Sequence, residues 1–203
     1  MTALPASFST PFAHSVPDVE QRVLLVVARS LDRDPATIDL NSRLFVDLDA
    51  ESLDMLDIAY SLERTFCIRM PRVNLLQRAS DLFSEQAILK DGIVTETGMD
   101  LMRRSMREIP ENWIKPGMRV YDFRLLITVE SLARVVHRCL EAVARLCCSQ
   151  CGGAAVPNSE FSMAMICADC GHTIELPSGE HLLVDDLRRV GEEMHLPIVG
   201  EPA

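Results

Sequence analysis

Four of the seven cysteines in this 203-residue chain form two Cys-x-x-Cys pairs. They are Cys148-Ser149-Gln150-Cys151-Gly152 and Cys167-Ala168-Asp169-Cys170-Gly171, with fifteen residues between them. Two residues between sulfurs let the backbone turn so that both face one ion, and a following glycine permits the turn. Seven is odd, and close pairs in a chain that stays in a reducing compartment read as metal ligands before they read as disulfides. The spacing predicts a zinc ribbon ligated by Cys148, Cys151, Cys167 and Cys170, with four thiolates closing the shell against catalysis. A redox dithiol pair, four unligated core thiols and a rubredoxin-like iron are the weaker readings. Cys147 and His172 adjoin the knuckles as possible substitutes. The segment has too few apolar residues for a core of its own, so metal binding, on the order of 10–16 kcal/mol for structural zinc, would supply its folding free energy.

Composition narrows the partners. The formal net charge is −10, and no Lys or Arg occurs from 146 to 180. An acidic chain with a further formal −2 at a thiolate-bound zinc lacks the phosphate attraction on which nucleic-acid binding depends. It suits proteins with basic surfaces instead. At 48% hydrophobic and 25% charged residues the chain is of globular type. No apolar run reaches the roughly 20 residues that span a bilayer, and residues 1–13 lack the layout of a secretory signal. No membrane insertion and a cytoplasmic location are the expectations.

The apolar spacing predicts a mainly α chain. Residues 1–14 read as a flexible leader. A helix starts near Pro17-Asp18 and runs through Val19, Val23, Val27 and Leu31 to a stop at Pro35. A loop over 39–49 buries Leu40, Leu44 and Leu48 at intervals. A strong helix covers Ser52 to Phe66, and Thr128 opens another through Leu132, Val136, Cys139 and Val143. Between these two, helical pieces (75–89 and 98–106) are broken by Asp91-Gly92, Pro110 and Pro116-Gly117. Phe161, Met163 and Met165 alternate like a short strand. Leu183, Leu187, Val190 and Met194 predict a short terminal helix, which Gly191 weakens.

On a helical wheel, Met55, Ile58, Ala59, Leu62 and Phe66 form one core-facing stripe. Leu53, Leu56 and Tyr60 fall on the opposite side, where that core cannot bury them, and five acids but no base lie between Asp49 and Glu63. Such a strip is either a docking surface for basic partners or a seat for the 72–125 segment. Arg103, Arg104 and Arg107 form a basic patch that could pair with this acidic helix, and Trp113 reads as packing against the bundle.

The run Asp47-Leu48-Asp49-Ala50-Glu51-Ser52-Leu53-Asp54, then Leu56-Asp57-Ile58 and Phe66-Cys67-Ile68-Arg69-Met70-Pro71, resembles the acyl carrier protein family. Members carry Asp-Leu-Gly-Ala-Asp-Ser-Leu, an acidic amphipathic helix and a Phe-x-Ile-x-Ile-Pro exit. Residues 38–71 follow that pattern, with Asp49 for the usual Gly, Glu51 for the usual Asp, and Arg64 where many members have another acid. A subset with Ala-Glu-Ser before the helix is similar. Thr128-Val129-Glu130-Ser131-Leu132 resembles the opening of the last carrier helix. It comes about 55 residues late, so 72–125 is an insertion, and Asp91 to Gly98 is similar to one found in extended Ala-Glu-Ser carriers.

The resemblance implies a four-helix bundle over 15–145 with the insertion at 72–125, then a small β zinc ribbon at 146–179 and a terminal helix and tail at 180–203. It also implies 4'-phosphopantetheine on Ser52, placed there by a phosphopantetheinyl transferase. Acyl or polyketide intermediates would ride on it as thioesters in specialised fatty acid, lipid or secondary-metabolite biosynthesis. Glu51, Leu53, Asp54, Leu56, Asp57 and Tyr60 would dock acyl synthases, ligases or transferases, with no catalytic residue in the carrier. The bland reading of Ser52 is a helix N-cap. A non-carrier adaptor that docks through the acidic helix and zinc ribbon is the alternative. No Gly-x-Gly-x-x-Gly, P-loop, Gly-x-Ser-x-Gly or His-Glu-x-x-His occurs, and the five histidines are scattered. Cys67 and Cys139 read as small core residues.

Overall fold

The computed structural model describes residues 15–158 and 164–199. The leader 1–14 and two of the three alternating strand residues, Phe161 and Met163, lie outside the described residues. Met165 opens a strand.

Three long helices surround the first core: α1 (Val16–Ser30), α2 (Ser52–Phe66) and α6 (Val129–Ala144). α1 has Pro17 in its first turn and buries Val19, Val23 and Val27. These pack against Ile58, Leu62 and Phe66 of α2 and Val129, Val136, Cys139 and Leu140 of α6. The connection from α1 to α2 passes a 3-10 turn at Pro35–Thr37 and buries Leu44, Leu48 and Ala50. Leu40 packs against the core only in part.

The segment after α2 builds a second core. It holds α3 (Leu75–Phe83), the single turn α4 (Glu85–Ile88), a two-residue hairpin of β1 (Leu89–Lys90) and β2 (Ile93–Val94), α5 (Glu96–Ser105), and 3-10 segments at Glu111–Trp113 and Val120–Leu126. The continuous helix expected over 75–89 is broken at Ser84, whose φ is +74°. The break lets Leu89 leave the helix and pair with Val94 across the Asp91-Gly92 turn. Both turn residues have positive φ, as a tight hairpin requires. Trp113 packs against this second core, not the first, and Arg43 lies 4.8 Å from its ring centroid. Arg104 pairs with Asp100 at 3.0 Å, while Arg103 and Arg107 bond the backbone carbonyls of Ile114 and Arg104. The basic patch is therefore satisfied within the insertion and does not meet the acidic face of α2.

Beyond α6, β3 (Ala155–Pro157), β4 (Met165–Cys167) and β5 (Thr173–Ile174) form an antiparallel sheet in that order. Cys148, Met165, Cys167, Ile174 and Leu176 belong to the first core, so the small sheet is built into the bundle. α7 (Gly179–Glu193) goes the other way: Leu187 and Val190 are buried in the second core. Among the described residues the chain is thus mainly helical, with a two-stranded hairpin in the second core and a three-stranded sheet beside a cysteine cluster. Among the described residues no helix is long and apolar enough to cross a membrane.

Candidate functional site

The loop before α2 is held from two sides. The Leu44 N–H donates to the Ile127 carbonyl at 2.9 Å, and the Val129 and Glu130 N–H groups donate to Ser42 and Leu40. These bonds tie the loop to the start of α6. The loop then turns at Asp49, whose φ is +55°. Asn and Asp tolerate this left-handed conformation better than other residues with side chains. Position 49 is where the family pattern has Gly, so one backbone geometry accounts for both residues. Arg33 holds the turn by donating to the Leu48 carbonyl at 2.9 Å and to the Asp49 carboxylate at 3.2 Å.

The chain enters α2 with Glu51 as N-cap residue and Ser52 as the first helical residue. The Glu51 N–H donates to Asp54 Oδ2 at 2.7 Å. The bland reading of Ser52 therefore does not hold: the cap position is Glu51, and the Ser52 hydroxyl is left exposed. Asp54 is half-committed to the cap, whereas Asp57 is exposed on the following turn.

Leu53, Leu56 and Tyr60 are 75%, 57% and 47% exposed, so the insertion does not cover them. The Arg64 guanidinium lies 5.7 Å from the Tyr60 ring centroid and brings a cation to the edge of this strip. Glu63, counted among the acids of this helix, has another place. It is buried, accepting the Met70 N–H at 3.0 Å and pairing with Arg72 at 2.9 Å. It fastens the exit of α2 and presents no charge to a partner. On the wheel Glu63 falls between Ala59 of the core stripe and Leu56 of the exposed strip, and its partners come from the exit loop.

The four knuckle cysteines come together. All four sulfurs lie within 4.8 Å of one another, with Cys148–Cys170, Cys151–Cys167 and Cys151–Cys170 at 3.6, 3.3 and 3.5 Å. A regular tetrahedron of sulfurs at the zinc–thiolate bond length has edges of about 3.8 Å. The donor set and its spacing thus suit Zn²⁺. Gly152 and Gly171 have φ of +75° and +71°, which is why a glycine follows each knuckle. Backbone N–H groups of Cys170 and Asp169 directed at the Cys167 sulfur pull its pKa down to about 7, whereas hydrogen bonds from the neighbouring sulfurs push Cys151 and Cys170 up, so the four thiols share their protons unevenly. Cys147 and His172 are outside the cluster. Cys139 is buried on α6, and burial pushes its thiol up to about 11, as for an inert core residue.

With this geometry in view, the comparisons with known proteins are specific. Residues 21–82 match the family model described as "Phosphopantetheine attachment site". The acyl carrier proteins of Rickettsia typhi (strain ATCC VR-144 / Wilmington) and Rickettsia prowazekii (strain Madrid E) are each 38% identical over 53 residues, 26% of this chain and 62% of theirs. No solved structure matches significantly. Residues 21–82 are thus similar to phosphopantetheine-attachment domains and to acyl carrier proteins, and a four-cysteine cluster compatible with zinc follows them in the chain. The chain spans just under two thirds of the length of the curated relatives it matches.

Proposed function

We propose that the protein is an acyl carrier that receives 4'-phosphopantetheine on the Ser52 hydroxyl and holds acyl or polyketide intermediates as thioesters on its distal thiol. The observation that carries this is the exposed Ser52 hydroxyl at the first residue of α2, with the cap position taken by Glu51. A phosphodiester there would meet the free N–H groups and positive dipole end of the helix, which favour an anion. The carrier contributes no acid, base or nucleophile to acyl chemistry; a phosphopantetheinyl transferase loads it, and synthases, ligases or transferases act on the cargo.

Those partners would dock on Glu51, Leu53, Asp54, Leu56, Asp57 and Tyr60, where exposed apolar anchors sit among carboxylates. Basic surfaces complement that pattern, and apolar contacts at its centre supply the affinity. The zinc ribbon, ligated by Cys148, Cys151, Cys167 and Cys170, would act as a structural staple. A place in specialised fatty acid, lipid or secondary-metabolite synthesis fits a carrier enlarged beyond the bare bundle, and a cytoplasmic location fits the thiol-rich metal site.

The test is intact-mass measurement after incubation with coenzyme A and a broad-specificity phosphopantetheinyl transferase. The wild-type chain gains one phosphopantetheinyl increment and Ser52→Ala gains none. An unmodified wild type, or an increment that survives in Ser52→Ala, overturns the assignment.

A further inference from the structure

We infer that the inserted segment builds a seat for the prosthetic arm beside Ser52, in which Arg124 holds the phosphodiester. This deepens the carrier reading and rests on Ser52 being the attachment point. Ser52 opens onto a groove of about 450 Å³, within the size range of small-molecule sites. One wall is Phe45, Glu51 and Leu53 of the carrier loop and helix; the other is Arg124 and Leu125 of the insertion.

The two walls are held in fixed relation. Phe123 and Leu126 anchor the Val120–Leu126 segment in the second core, and the Arg119 N–H donates to Asp122 at 2.7 Å at its start. One residue beyond the segment, the Ile127 carbonyl takes the Leu44 N–H of the opposite wall.

Charge selects the occupant. Both arginines of the loop between α1 and α2 have carboxylate partners, Arg33–Asp49 and Arg43–Asp47. Arg124 has no carboxylate partner among the described residues; its guanidinium lies 5.5 Å from the Phe45 ring centroid. A cation kept over a ring at the lip of the serine groove suits a phosphate anion on that serine. It also offsets the Glu51 carboxylate, which on the same wall would repel the phosphodiester. Phe45, Leu53 and Leu125 flank the groove with apolar surface for the methyl-bearing part of the arm.

The experiment loads the full, zinc-replete chain with phosphopantetheine, verifies completion by intact mass, and compares apo and holo ¹⁵N–¹H spectra together with the ³¹P resonance. On loading, the Arg124 Nε–H, the Leu125 amide and the Phe45 ring shift along with residues 51–54. Arg124→Gln lowers the seated population about two- to fivefold, the range expected of one solvent-exposed ionic contact, and so does high salt. Phe45→Leu, which removes the ring and keeps the apolar volume, moves the seat in the same direction. Arg124 is exposed, so its variant keeps the wild-type melting profile. A fully loaded chain whose Arg124 and Leu125 signals stay in place overturns the seat and leaves the carrier reading intact. Shifts that persist unchanged in Arg124→Gln refute Arg124 as the holder. An unloaded wild type removes the attachment reading and this inference with it.

Discussion

Asp49 marks the point where a departure from the family pattern is resolved by one dihedral angle. Its φ of +55° falls in the region that glycine enters freely and Asp tolerates. Asp49→Gly is expected to leave the melting temperature within a few degrees, since lost ion pairing with Arg33 is offset by relief of the backbone. Asp49→Val is expected to cost about 1–2 kcal/mol in urea unfolding, because a β-branched residue is strained there. Equal stability of the two variants would show that the turn is not held in this conformation. Glu63 carries a similar lesson: its charge reads as part of an acidic docking face, yet its carboxylate is used by Met70 and Arg72. Composition places an acid on a helix; only the neighbouring exit loop decides which way it is spent.

The helices show where local signals suffice and where they mislead. α2 runs from Ser52 to Phe66 as its apolar stripe indicates, and α6 begins at the Thr128 cap, whose hydroxyl accepts the Ser131 N–H at 3.1 Å. The helix expected over 75–89 is broken at Ser84, whose φ is +74°, and Leu89 pairs with Val94 in a hairpin instead. Gly191 reads as a weak point in α7, costing about 1 kcal/mol against alanine. In the fold it is a contact: a Cβ there would lie 2.2 Å from Cζ of Phe83, inside the ring's own volume. Gly191→Ala is therefore expected to destabilise by about 1–3 kcal/mol despite its better helix propensity, as overpacking of a closed core does. Chemical denaturation measures this. A stabilised variant would mean that α7 does not pack on α3 at this distance.

The two cores bind the chain together in an order unlike its sequence. The cysteine-rich sheet at 148–174 shares the carrier core: Cys67 Sγ of the α2 terminus is 3.9 Å from Met165 Sδ, and the Gly179 N–H donates to the Arg69 carbonyl at 2.9 Å. α7 then crosses to close the second core formed by 75–126. Metal loading should therefore be felt beyond the ribbon. Removing zinc with a chelator, or replacing Cys148 and Cys151 by serine, is expected to lower the unfolding temperature of the helical signal by ten degrees or so. Loss of even part of a 10–16 kcal/mol ligation energy is large beside the total stability of a domain. Metal analysis should return one zinc per chain before treatment. An unchanged helical melt after complete zinc removal would show that the ribbon only decorates the bundle.

Local chemistry determined the parts that nearby residues control: the helical stripes, the Asp91-Gly92 turn, the two cysteine knuckles and the serine opening an acidic helix. Each depends on spacing within a few residues, where backbone periodicity and turn geometry leave little choice. Tertiary structure alone decided that Leu53, Leu56 and Tyr60 stay uncovered, that Glu63 turns inward, that the ribbon enters the carrier core, and that Arg124 stands across from Ser52. These outcomes depend on which surfaces meet after residues tens to hundreds of positions apart are brought together. The burial and pairing terms that settle such meetings have no signature in the order of the residues.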